Sequence, residues 1–84
     1  MYFYIKGCKE DKIYYFDGCH HPYDILEMIP NAHYYEKVDA TEMCNYLNKN
    51  NFFTKISWKV VNEKEYFKDK KRACKYYITS HHIN

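Results

Sequence analysis

The sequence predicts a small α+β domain: an antiparallel sheet of four to five strands packed on one main helix, with one or two short additional helices. Three observations carry this. Residues 2–9 and 12–17 are aromatic-rich runs either side of the polar tip Lys9-Glu10-Asp11-Lys12, the form of a β-hairpin. Residues 39–49 place apolar side chains at helical spacing. Residues 54–61, T-K-I-S-W-K-V-V, alternate apolar and polar, as a half-buried antiparallel strand does.

The elements follow in order. Gly18 ends the second hairpin strand, where a glycine takes positive φ without steric cost. His21-Pro22 opens a short helix, since proline suits the first helical position. Pro22, Ile25, Leu26 and Ile29 then line one buried face. Asp24 and Glu27 suit the helix dipole near its start, and Pro30 stops it. Residues 32–38, A-H-Y-Y-E-K-V, alternate as a short strand. Asp39-Ala-Thr-Glu42 has the form of a capping box with aspartate in the usual Ser/Thr place. Ala40, Met43, Cys44 and Leu47 form the apolar stripe of the main helix, and Asn50 and Asn51 suit a left-handed helix end. In the next strand Ile56, Trp58 and Val60 face one way and Lys55, Ser57 and Lys59 the other. Asn62 with Glu65 caps a further helix through about Arg72. The segment A-C-K-Y-Y-I-T then reads as a last strand, or as half of a hairpin turning at Asp69-Lys70-Lys71. Residues 79–84 are left as a loose tail of the single domain 1–84. The expected core is Phe3, Ile5, Ile13, Ile25, Leu26, Ile29, Met43, Leu47, Ile56, Trp58 and Val60.

Size and composition narrow the function. A chain of 84 residues buries only about 60–65% of the surface its unfolded form exposes, which favours a working surface over a deep cleft. No apolar run approaches a membrane span. Met1 leads directly into Tyr-Phe-Tyr-Ile without the regions of a signal peptide. The expected location is therefore the cytoplasm, where Cys8, Cys19, Cys44 and Cys74 stay reduced. The basic residues are twelve lysines and one arginine, as AT-rich coding gives. Net charge is +2, unevenly spread: residues 10–42 carry eight acids and two lysines, and residues 55–75 carry seven lysines, Arg72 and three acids. That pattern suits one acidic and one basic face.

Chemistry concentrates in F-D-G-C-H-H-P-Y-D, residues 16–24. Zinc needs four converging ligands, commonly as closely spaced pairs. Cys19 and His21 make one pair, but a second has to come from scattered residues such as His33, Cys44, Cys74, His81 or His82. The stretch reads first as a turn and a helix start, so no metal and no cofactor is expected; a metal-stabilised module is the alternative. With only Gly7 and Gly18 there is no phosphate-binding loop or dinucleotide fingerprint. Ser57 and Ser80 lie outside any nucleophile-elbow context. The sequence therefore predicts a protein that is not an enzyme.

Eleven tyrosines are the more informative feature. In the doublets Tyr14-Tyr15, Tyr34-Tyr35 and Tyr76-Tyr77, one member of each faces away from the core if the segment is a strand. Tyrosine supplies a large rigid contact area and a hydroxyl, which interfaces favour. The candidate partner-binding residues are Tyr14, Tyr15, Tyr34, Tyr35, Lys68, Lys70, Lys71 and Arg72.

An aromatic hairpin, then A-H-Y-Y-E, then D-A-T-E-M-C-N-Y-L, then an alternating strand resembles many small proteins of phages and mobile elements. The resemblance covers about residues 1–61. It implies a host-takeover or anti-defence factor, a class that includes anti-CRISPRs and acts by binding. The expected function is non-enzymatic inhibition of a bacterial host protein or ribonucleoprotein, such as a CRISPR effector, by steric occlusion. A small nucleic-acid-binding protein using the basic segment 55–75 is the runner-up. No membrane partner is expected, and a homodimer is compatible with so small a chain.

Overall fold

The computed structural model describes residues 1–18, 22–24, 32–52 and 54–81, with the backbone alone at 22–24 and 74–81. The elements are β1 (Phe3–Lys9), β2 (Lys12–Phe16), β3 (Pro22–Asp24), α1 (Lys37–Lys49), β4 (Ser57–Asn62) and α2 (Glu63–His81). They form an α+β fold with an antiparallel sheet ordered β3-β2-β1-β4. Among the described residues, three full strands make up its body, and the three-residue β3 lies on an edge.

The aromatic hairpin forms as the sequence indicates. Lys9 pairs with Lys12, and Glu10 in the tip has φ 55°. The expected helix from Pro22 begins instead as strand β3, with Phe16 opposite Pro22. A proline lacks the ladder donor, so an edge strand is where a sheet accepts it. Ile25, Leu26 and Ile29 lie outside the described residues. The expected strand at 32–38 reduces to one bridge, in which Phe3 and Tyr35 exchange backbone hydrogen bonds of 2.8 Å.

Helix α1 starts two residues before the expected capping box. Glu36 is the N-cap and makes no side-chain cap bond, so Asp39 serves only as an acid in the first turn. The helix ends at Asn50 with φ −115°, not in the left-handed conformation. Ala40 and Cys44 are buried, and Met43 and Leu47 pack beside them. Among the outward-facing amides, Asn48 donates to the Trp58 carbonyl at 2.9 Å and accepts from the Trp58 N–H at 2.8 Å. Its side chain thereby covers part of the outer edge of β4, which ends the strand order among the described residues.

The largest correction concerns residues 73–79. The segment A-C-K-Y-Y-I-T is helical, and α2 runs without interruption from Glu63 to His81. No glycine or proline occurs between 63 and 81, so nothing stops a helix once Asn62 has started it. The Asn62 side chain accepts from the Glu65 N–H at 3.0 Å, as the sequence indicates. Tyr66, Asp69 and Ala73 then form a buried stripe at i, i+3 and i+7. Residues 79–81, expected in the tail, belong to this helix.

Among the described residues, two helices therefore cover the sheet, one on each face. Alternate strand residues point to opposite faces. Ile5, Phe16, Ile56 and Trp58 pack with Ala40 and Cys44 under α1. Tyr4, Tyr15 and Val61 pack with Tyr66 and Ala73 under α2. Ile5, Ile56 and Trp58 are core as expected, while Phe3, Ile13, Met43, Leu47 and Val60 are partly buried around it. The second core, rich in tyrosine, is the part that a one-helix architecture omits.

Candidate interaction surface around helix α2

The buried stripe of α2 joins an aromatic stack to a charged network. The Tyr4 and Tyr66 rings stack at 3.9 Å, with Tyr15 edge-on to Tyr66 at 5.0 Å. Beside them Asp69 accepts from the Tyr15 hydroxyl at 2.7 Å and pairs with the Lys6 ammonium at 2.7 Å. Lys6 also donates to Glu65 at 2.9 Å. The register explains the meeting: Tyr15, Lys6 and Lys59 sit opposite one another on adjacent strands, so one row across the sheet faces Glu65 and Asp69. Among the described residues, no buried side-chain nitrogen or oxygen lacks a partner.

These contacts set the protonation states. Burial alone lowers the Lys6 ammonium, but hydrogen bonds to Asp69 and Glu65 and their charges outweigh it, and its pKa rises. Burial, then the Asp69 hydrogen bond and charge, push the Tyr15 hydroxyl far above the usual phenol range. Tyr4 is raised by burial and by the nearby Glu63 and Tyr34. Burial pushes the Cys44 thiol up as well. Groups raised in the folded state contribute stability in full below their unfolded pKa values, about 8.5 for cysteine, 10 for tyrosine and 10.4 for lysine. That stability is lost as pH rises toward the folded values. The melting temperature is therefore expected to fall from about pH 9 and more steeply above about pH 10. Tyr15→Phe is expected to flatten the steep part. A melting temperature that holds steady to about pH 11 contradicts this coupling.

Two exposed surfaces flank the buried stripe. On one side Phe67 is 50% exposed and lies against Tyr66 and Tyr4, with ring centroids 5.4 and 6.5 Å away. Tyr34 and Tyr2 are 52% and 47% exposed, with rings 4.5 Å apart. His33 stacks on Tyr34 at 5.6 Å, and the Tyr2 N–H donates to Glu63 at the start of α2. On the other side is an open cleft of about 570 Å³. It is lined by buried Lys6 and Asp69, part-exposed Glu65, and exposed Asn62, Lys64, Lys68 and Arg72.

The structure separates the sequence-selected residues. Tyr34 is on the exposed aromatic surface, and Tyr35 packs against the core under α1. Tyr14 is half-buried against that same core. Tyr15 is 2% exposed and its hydroxyl is taken by Asp69. Lys68 and Arg72 border the cleft, and Lys71 is exposed outside it. Lys70 lies over the Tyr66 ring at 5.8 Å. Cys19, His20 and His21 lie outside the described residues; among those described, no three His, Cys, Asp or Glu side chains gather as a metal site. No described helix is long and apolar enough to cross a membrane.

Sequence reading missed Tyr2, Phe67 and Lys64. A helix through 63–81 would have exposed the signal for Lys64, since 64, 68 and 72 share a helical face. Tyr2 and Phe67 carry no local signal, because only the tertiary fold brings Tyr2 to Tyr34 and Phe67 to Tyr4. Comparison with protein families, curated proteins and solved structures found no match.

Proposed function

We propose that this protein is a non-enzymatic, phage-type inhibitor that binds a bacterial host defence protein and blocks it by steric occlusion. The observation that carries this reading is the exposed aromatic surface of Tyr2, Tyr34 and Phe67. Exposed apolar surface that gathers into a patch marks interaction sites; here the Tyr2 and Tyr34 rings lie 4.5 Å apart and Phe67 lies 6.5 Å from Tyr4. Tyrosine is also among the residues that dominate binding energy at interface centres. Phe67 rests on the Tyr4–Tyr66 stack and so reaches a partner already ordered, which lowers the entropy cost of association. The phage-type part of the reading rests on the resemblance of residues 1–61, and a CRISPR effector is one target of that class.

The test is a plating assay on bacterial strains that each carry one defence system. Expression of the wild-type protein is expected to restore phage plating on the strain whose system it binds. The double variant Tyr34→Ser/Phe67→Ser, checked for an unchanged melting temperature, is expected to lose that effect. A folded double variant that protects phage as well as wild type contradicts the proposal.

A further inference from the structure

We propose that the cleft beside α2 binds a phosphate-bearing ligand, held by Lys64, Lys68 and Arg72 with Asn62. Four cations line this cleft against two carboxylates, and both carboxylates are already engaged on the inner side. Asp69 receives Tyr15 and Lys6, and Glu65 receives Lys6. The outer cations make no ion pair with a described residue. They are therefore the charge that an incoming ligand meets.

The spacing suits more than one anionic group. Lys64, Lys68 and Arg72 repeat every four residues, about 6 Å apart along the helix axis. Like charges four residues apart repel on a helix, and a bound anion relieves that repulsion. Arg72, the single arginine of the chain, offers the planar fork that pairs with phosphate oxygens in bidentate fashion. The Asn62 Oδ1 is occupied by the Glu65 N–H, which leaves its amide N–H groups as neutral donors. Both Asn62 and Lys64 lie at the start of α2, where the helix dipole favours negative charge. A cleft of about 570 Å³ falls within the usual range for small-ligand sites.

Phosphate reaches such a site as a free nucleotide or as a nucleic-acid backbone, and the test separates the two. The full chain is titrated with ATP by calorimetry and with a short labelled oligothymidylate by fluorescence anisotropy. Lys68→Gln/Arg72→Gln is compared with Lys71→Gln, an exposed lysine on the same helix outside the cleft. The double variant is expected to weaken binding by roughly tenfold or more, and Lys71→Gln to leave it near wild type. All these side chains are exposed, so the melting temperature is expected to stay unchanged. Saturable binding of ATP identifies a nucleotide site. Binding of the oligonucleotide alone, with a salt dependence that weakens in the double variant, identifies a polymer backbone. Failure of both probes, or equal loss in both variants, overturns the proposal. This cleft and the aromatic surface lie on opposite flanks of α2, so loss of either reading leaves the other standing.

Discussion

Asp69→Asn is expected to destabilise the protein by roughly 3 kcal/mol, at the lower end of the cost of breaking a buried ion pair. The Asp69 and Lys6 side chains are only 7% and 10% exposed, and their charged atoms are 2.7 Å apart. Removing the carboxylate charge leaves a buried ammonium with Glu65 as its remaining partner, which is why the low end applies. It also weakens the acceptor for Tyr15. In a chain of 84 residues, that loss is a large share of a typical total of 5–15 kcal/mol, roughly. Lys6→Met/Asp69→Leu, which replaces the pair by apolar side chains, is expected to be milder than Asp69→Asn, because no buried charge is stranded. Urea denaturation of the three proteins measures both differences. A cost below about 1 kcal/mol for Asp69→Asn contradicts the view that this pair clamps α2 to the sheet.

Gly7→Ala is expected to cost roughly 3 kcal/mol, the upper part of the range for overpacking. A Cβ at this position would lie 2.6 Å from Ile56 Cγ2 and 2.8 Å from the Trp58 ring. Both neighbours are buried, at 4% and 6% exposure, so neither can swing into solvent. The Trp58 side chain lies over Gly7 because the two residues are directly opposite in the β1–β4 register. The double variant Gly7→Ala/Ile56→Ala is expected to be less destabilised than the sum of its single variants, since the second change removes one clash. Simple additivity by urea denaturation would place the strain elsewhere.

Much of the first core was legible in the sequence. The hairpin, the α1 stripe of Ala40, Met43, Cys44 and Leu47, and the inward set Ile56 and Trp58 all follow from local periodicity. The second core was hidden because its residues look polar. Lys6 and Asp69 read as surface charges, and only the cross-strand register and the α2 stripe show that they neutralise each other inside. Tyr4, Tyr15 and Tyr66 were ambiguous for a related reason. A tyrosine suits either a core or an interface, and its neighbours in space decide which. The segment A-C-K-Y-Y-I-T read as a last strand because periodicity alone did not decide it, but an uninterrupted helix starting after Asn62 runs through it. The same long-range geometry governs the two exposed surfaces. Tyr34 was selected from a doublet, yet its companions Tyr2 and Phe67 come from the chain's start and from a helix. Lys68 and Arg72 were selected from a basic run, but the cleft they border is also lined by Lys64 and Asn62, which that run did not single out.

The most direct test of binding through the aromatic surface is a tagged capture from lysate of a bacterium rich in defence systems, split into nuclease-treated and untreated halves. Wild type, Tyr34→Ser/Phe67→Ser and Lys68→Gln/Arg72→Gln serve as baits. The account predicts one stoichiometric protein partner that survives nuclease, is lost with the aromatic variant and is retained by the basic variant. A partner that disappears on nuclease treatment, or that the folded aromatic variant retains in full, would contradict it.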